Sequence, residues 1–188
     1  MSNVVSGRKV TLVEIKQLVI DGKDLLLAAA QSVGREIMVY LHWSAGHYHQ
    51  IYDDYHISID DDGSIYVVTD DFSTVLAHTW HRNTGAIGIS LACGAFATSN
   101  DLGAEPPTDG QIENMAQVIA VLADALDIPV DAARIMTHAE AANLDDYGPN
   151  TTWERWDLWF LHNGDAMGTG GDTLRGKANY YLHSGELP

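Results

Sequence analysis

Apolar residues recur along this chain in two periods, and the switches between them mark out helices and strands. Thr11 with Glu14 reads as a capping box, and Leu12, Ile15, Leu18 and Val19 follow at helical spacing. Asp21-Gly22 is expected to break that helix before a second stretch, Lys23 to Val33, capped by Gly34. The run EIMVYLH, residues 36–42, has strand length. A hairpin follows, YHISID and SIYVV about a turn at Asp61-Asp62-Gly63, and AIGISLAC (86–93) reads as a buried central strand. Residues 94–107 read as loop. Thr108 and Gln111 open a helix with Ile112, Met115, Ile119, Leu122 and Leu126 on one face, ended by Ile128-Pro129. A short turn capped by Asp131 leads into the strand-like IMTH. Residues 141–152 are loop, WERWDLWFL is aromatic-rich, 162–171 is glycine-rich, and Asp172 caps a last helix through Leu182. Strands mixed with helices predict an α/β fold with a mixed sheet covered by helices.

Composition narrows the class. The 188 residues suit one domain, with 46% hydrophobic and 19% charged residues, which is globular rather than disordered. We expect a single domain over 1–188, with a core at about 36–161, an N-terminal helical segment at 11–33 and a C-terminal extension at 162–188. The net charge of −16 argues against nucleic acid and against anionic membranes or wall polymers, so affinity for such a substrate has to come from a shaped pocket. Cys93, the lone cysteine, sits in an apolar run and reads as a buried, inert thiol. No apolar stretch of signal-peptide or membrane-span type occurs, so synthesis in the cytoplasm is expected, and a monomer is favoured.

Three separated residues carry the chemistry. His42 in LHWSAG, His138 in MTHAE and Asp157 in ERWDLW make a two-histidine, one-carboxylate zinc set with a fourth position open. Three protein ligands plus water indicate hydrolysis rather than a structural metal. Both histidines fall at predicted strand ends, where side chains converge above a sheet edge. Asp145, Asp146 and His162 compete with Asp157 for the third corner. His47 and His49 read as loop histidines near the mouth of the site. The aspartates between Asp53 and Asp71 lack calcium-loop spacing and read as turns. Trp153, Trp156 and Trp159, three apart, read as a packing stripe, and GTGGD as linker.

The words HWSAG, YHISIDDDGSIY, AHTWHRNTGAIGISL, THAE and RWDLW, in this order over about residues 36–161, resemble the type 2 N-acetylmuramoyl-L-alanine amidases, the family that includes the peptidoglycan recognition proteins. The resemblance implies a peptidoglycan recognition protein-like fold with Zn2+ held by His42, His138 and Asp157. It implies Tyr55 as a catalytic tyrosine and Glu140, the acidic member of the second histidine's word, as a candidate acid or base, or else as an acceptor that orients a ligand histidine. His78 and Asn83 match positions lining the substrate groove. Arg155 stands where the family often has lysine; it keeps the positive charge but cannot shuttle a proton. The implied reaction cuts the amide between N-acetylmuramic acid and L-alanine, with peptidoglycan or a muropeptide as partner. An endolysin-like lytic role is the leading expectation. A recognition module that binds without cleaving, and a cytoplasmic amidase that recycles muropeptides, are the alternatives.

Overall fold

The computed structural model describes residues 3–187. In chain order the elements are β1 (Val4–Val5), β2 (Arg8–Val10), α1 (Leu12–Ser32), β3 (Met38–Trp43), β4 (Ile51–Tyr52), β5 (Ile57–Ile59) and β6 (Ile65–Val67). After them come β7 (Ala86–Leu91), α2 (Asp109–Leu126), β8 (Ile135–Thr137), α3 (His138–Leu144) and α4 (Gly170–Ser184). Six strands form a mixed sheet in the order β2-β6-β5-β7-β3-β8, and β1 pairs with β4 in a separate ribbon. Strands β5, β7, β3 and β8 run parallel, while β2 and β6 add an antiparallel edge. The α/β class with a mixed sheet under helices is therefore observed.

Side-chain parity divides the sheet into two unlike faces. Val39, Leu41 and Trp43 of β3 and Ile87, Ile89 and Leu91 of β7 enter the main core, with Ile57 and Ile59 of β5. Helix α2 lies over this face and packs against α1 and α4. Its buried Ile112, Met115, Ile119, Leu122 and Leu126 each contribute roughly 1.5–3 kcal/mol by leaving water. The other parity of the same strands carries Tyr40, His42, His56, Ser58, Gly88 and Ser90. Only a small cluster, Tyr40 with Ala86 and Ala141, backed by Met38 and Met136, packs there under α3. The second face thus holds polar groups next to the carboxyl ends of parallel strands, the region where α/β sheets bind ligands.

Several local expectations differ from the structure: α4 has its N-cap at Thr169, with Asp172 inside the first turn, and α3 takes residues 141–144 out of the expected loop. Helix α1 runs unbroken through Asp21-Gly22. Buried Ile15, Val19, Leu26 and Ala30 hold its inner face, Gln17 bonds Asp21 at 2.7 Å, and one solvent-facing glycine costs only about 1 kcal/mol. The capping boxes at Thr11–Glu14 and Thr108–Gln111 are both formed. GTGGD is not linker: its last two glycines open α4, which packs on α2. Among the described residues, no helix is long and apolar enough to cross a membrane.

Candidate metal centre and groove

His42 lies on β3, near its carboxyl end, and His138 is the first residue of α3, directly after β8. Because β3 and β8 are parallel neighbours, both imidazoles emerge at the same end of the sheet. The loop between α3 and α4 returns beneath them and delivers Asp157. All three are buried, at 0%, 5% and 7% exposure.

The donor atoms converge closely. The two Nδ1 atoms are 3.2 Å apart, and each lies 3.4 Å from Asp157 Oδ2. Four-coordinate zinc with bonds of about 2.0–2.1 Å has ligand–ligand edges of about 3.3–3.4 Å, so this triangle matches one face of that tetrahedron. The outer nitrogens agree. His42 Nε2 faces the Thr79 hydroxyl at 3.3 Å, and His138 Nε2 faces the Tyr147 hydroxyl at 3.2 Å. With Nε2–H directed at those hydroxyls, both Nδ1 lone pairs point inward, the tautomer a metal ligand requires. Two inward lone pairs at 3.2 Å repel unless a cation lies between them. The residues present fit a zinc ion.

Electrostatics favour the ligand forms. Burial pushes the His42 imidazole down to about 4, partly opposed by Asp157, so it is neutral at pH 7. Burial works against the Asp157 carboxylate, but contact with His138 and His42 in their N–H-donating forms holds it well below the usual carboxylate range, a pull that a cation among the three would replace. Tyr147, pushed up to about 12 by burial and then Asp145, stays a phenol.

Two of the three competitors for the third corner are spent elsewhere, and none of the three joins the cluster of His42, His138 and Asp157. Asp145 is held bidentately by Arg82 at 2.7 and 2.8 Å, and His162 pairs with Asp109 and Asp165. Asp146 occupies a left-handed turn position at φ 64°. A second cluster, His49 with Asp60 and Asp61, is satisfied only at Asp60, which accepts from His49 N and Asp61 N and faces His49 Nδ1 at 2.8 Å; buried Asp61 Oδ1, 3.3 Å from the same Nδ1, has no hydrogen-bond partner. Asp62 caps the backbone at Ser64 and Asp71 at Ser73, while Asp53 accepts from Asn3 and Asp70 pairs with Arg8. His47 pairs with Glu105 at the surface.

Above the triad lies a groove with two lobes of about 620 and about 400 Å3. His78, His138, Glu154 and Arg155 line both lobes. Tyr55 lines the smaller lobe with its ring 5.1 Å from that of His42. Burial, then the charge of Asp157, raises its phenol above the usual range, so it is a donor and not a base. Asn83 lines the larger lobe and accepts from the backbone N–H of His78 and Thr79, at 3.2 and 2.7 Å. His78 is buried, with Nδ1 3.0 Å from Thr79 Oγ1, and a Cβ on Gly88 would fall 2.7 Å from its ring.

Glu140 is positioned differently from the expectation of an acid or base. One oxygen accepts from Thr137 N at 2.8 Å, and both are clasped by Arg175. It lines neither lobe. Four site residues escaped sequence reasoning, among them Glu154, which lines both lobes. Thr79 and Tyr147 orient the imidazoles, and Trp80, 62% exposed and edge-on to Tyr147, forms a rim of the larger lobe. A hydroxyl in a loop gives no periodic signal, so none of these was visible in one sequence. Trp156 packs against Trp43 and Phe160, and Trp159 against the core, as the stripe suggested, but Trp153, at a left-handed φ of 60°, is 38% exposed and does not join it.

A family model described as N-acetylmuramoyl-L-alanine amidase matches residues 29–153. That span holds His42, Tyr55, His78, Asn83, His138 and Glu140 and stops short of Asp157. No curated protein matches the chain.

Proposed function

We propose that this chain, which belongs to the N-acetylmuramoyl-L-alanine amidase family, is a zinc hydrolase that cuts peptidoglycan between the lactyl group of N-acetylmuramic acid and L-alanine of the stem peptide. The observation that carries this reading is the triangle of His42 Nδ1, His138 Nδ1 and Asp157 Oδ2 at the floor of the groove, with edges of 3.2, 3.4 and 3.4 Å.

When bound, zinc supplies Lewis acidity, which activates water near neutral pH and polarises a carbonyl. The chain's own residues do the rest. Thr79 and Tyr147 hold the imidazoles in the ligating tautomer, a type of contact worth roughly 10–100-fold in metal affinity. Tyr55, protonated at working pH, donates to the oxyanion that develops as the amide carbon becomes tetrahedral. Arg155 adds a fixed positive charge beside both lobes; each preorganised donor of this kind is worth roughly 3–4 kcal/mol. Neither can take a proton from water. Glu154 is the carboxylate common to both lobes, and we assign it the proton transfer from water to the departing amine. His78 and Asn83 shape the wall against which the substrate lies.

Two lobes that share His138 suit a substrate with glycan in one and peptide in the other, a demand that polymeric wall and soluble muropeptides make alike. The lytic, endolysin-like role on polymeric wall is the one we carry forward, with recycling of small muropeptides as its alternative. Retention of a complete ligand triangle favours an enzyme over a silent binding module.

The test joins metal analysis with product analysis. Purified protein should carry about one zinc per chain, lost in His42→Ala and His138→Ala, and digested sacculi should show free L-alanine amino termini by mass spectrometry. Protein that takes up no metal, or new ends at another bond, overturns the assignment. Faster turnover of soluble muropeptides than of sacculi would favour the recycling role.

A further inference from the structure

Helix α4 lies beyond the matched family span, yet it contacts residues beside two of the three proposed metal ligands. Arg175 is buried at 6% exposure. Its guanidinium donates to Ile135 O on β8 at 3.0 Å and to both oxygens of Glu140 at 2.8 Å each, with Asp172 Oδ1 at 2.6 Å. Glu140 in turn accepts from Thr137 N, while Thr137 Oγ1 accepts from Glu140 N at 3.1 Å. His138 sits directly between that capping residue and that carboxylate. The strand before the histidine and the helix turn that carries it are therefore tied to one guanidinium.

The two glycines that open α4 bring it this close. A Cβ on Gly171 would lie 2.3 Å from Glu140 Oε1. A Cβ on Gly170 would lie 1.9 Å from Leu158 O, the residue after Asp157. Gly168 and Gly170 also donate to Trp159 O, at 2.9 and 3.3 Å. One end of α4 thus abuts both the turn bearing His138 and the loop bearing Asp157.

We propose that Arg175, acting through Glu140, is a positioning residue for the metal centre, and that the Gly170-Gly171 start of α4 is the platform that sets His138 and Asp157 in register. This rests on the zinc reading of the triad. Arg175 meets no substrate; it fixes the rotation of the first turn of α3, and a bidentate arginine–carboxylate pair fixes direction as well as distance. A shift of a few tenths of an ångström at His138 Nδ1 distorts the ligand triangle. The GTGGD word, with no role as a linker, acquires one here.

The experiment measures zinc affinity by chelator competition and the visible spectrum of the cobalt(II)-substituted protein, neither of which needs turnover. Wild type is compared with Arg175→Met, Arg175→Lys, Glu140→Gln and Gly171→Ala. Lys177→Met, which removes the α4–α2 pair with Glu113, serves as a packing control. Arg175→Met and Gly171→Ala should weaken zinc binding roughly 10–100-fold and shift the cobalt spectrum. Arg175→Lys should recover part of the loss, and Lys177→Met should leave affinity and spectrum unchanged. If Arg175→Met does not fold, Glu140→Gln, which preserves the size of the side chain, must still weaken binding. Unchanged affinity and spectrum in the folded variants overturns the positioning role alone. A wild type that binds no metal overturns the metal centre itself, and the positioning role with it.

Discussion

Acid should unfold this protein by way of a histidine that no metal touches. His56 is fully buried on the polar face of the sheet, and both ring nitrogens are committed. Nε2 donates to Thr74 O at 2.8 Å, and Nδ1 accepts from Gly88 N at 3.0 Å. A proton on Nδ1 would set two donors against each other in a fully buried site. Burial accordingly pushes the imidazole down to about 4, against weaker upward pulls from Thr74 and Asp71. Between pH 6.5 and 4 the unfolded chain binds a proton that the folded chain refuses, so stability rises with pH across that window. The gap of about 2.5 units amounts to about 3 kcal/mol, fully present above pH 6.5 and fully lost below pH 4. Against a total of roughly 5–15 kcal/mol, that is a large share. The assay is urea unfolding followed by tryptophan fluorescence, in chelator, at five pH values from 7.5 to 4. His56→Gln keeps a donor toward Thr74 and orphans Gly88 N, so it should lose roughly 1–3 kcal/mol at pH 7.5. It should then lose about 3 kcal/mol less than wild type on acidification. Equal losses in the two proteins would refute the reasoning.

Three further outcomes follow from particular contacts. Gln111→Leu takes the donor from Ala92 O and the acceptor from Thr108 N, while Ile59 O keeps its bond from Ala92 N, and should cost roughly 2–4 kcal/mol in denaturant unfolding; a cost under half a kcal/mol would show that water replaces the amide. Trp80→Ala removes an exposed rim of the larger lobe and should raise KM on solubilised wall polymer roughly three- to tenfold with kcat and stability unchanged, whereas an unchanged KM would take the substrate off this rim. Glu154→Gln should retain zinc and lower kcat by roughly 10²- to 10⁴-fold, and near-normal turnover would move the proton transfer to another group.

Periodicity and local turn chemistry in the sequence were enough to indicate much of this protein. The capping boxes at Thr11 and Thr108, the apolar face of α2 and the alternation of large and small residues in β7 are local patterns, and neighbours within a few positions determine them. His42 and His138 were visible for the same reason, since each sits where a strand-forming run stops. The continuity of α1 through Gly22 was not visible, because long-range burial of Val19 and Leu26 overrides a weak local preference. The third corner needed the tertiary structure: only packing decides that Asp145 meets Arg82, that His162 meets Asp109 and that Asp157 meets both imidazoles. Glu140 shows the same limit. Its position two residues after His138 suggested chemistry, while a guanidinium 35 residues away commits it to holding the turn. Sequence spacing reports which side chains share an element; convergence of side chains from different elements exists only once burial has brought those elements together.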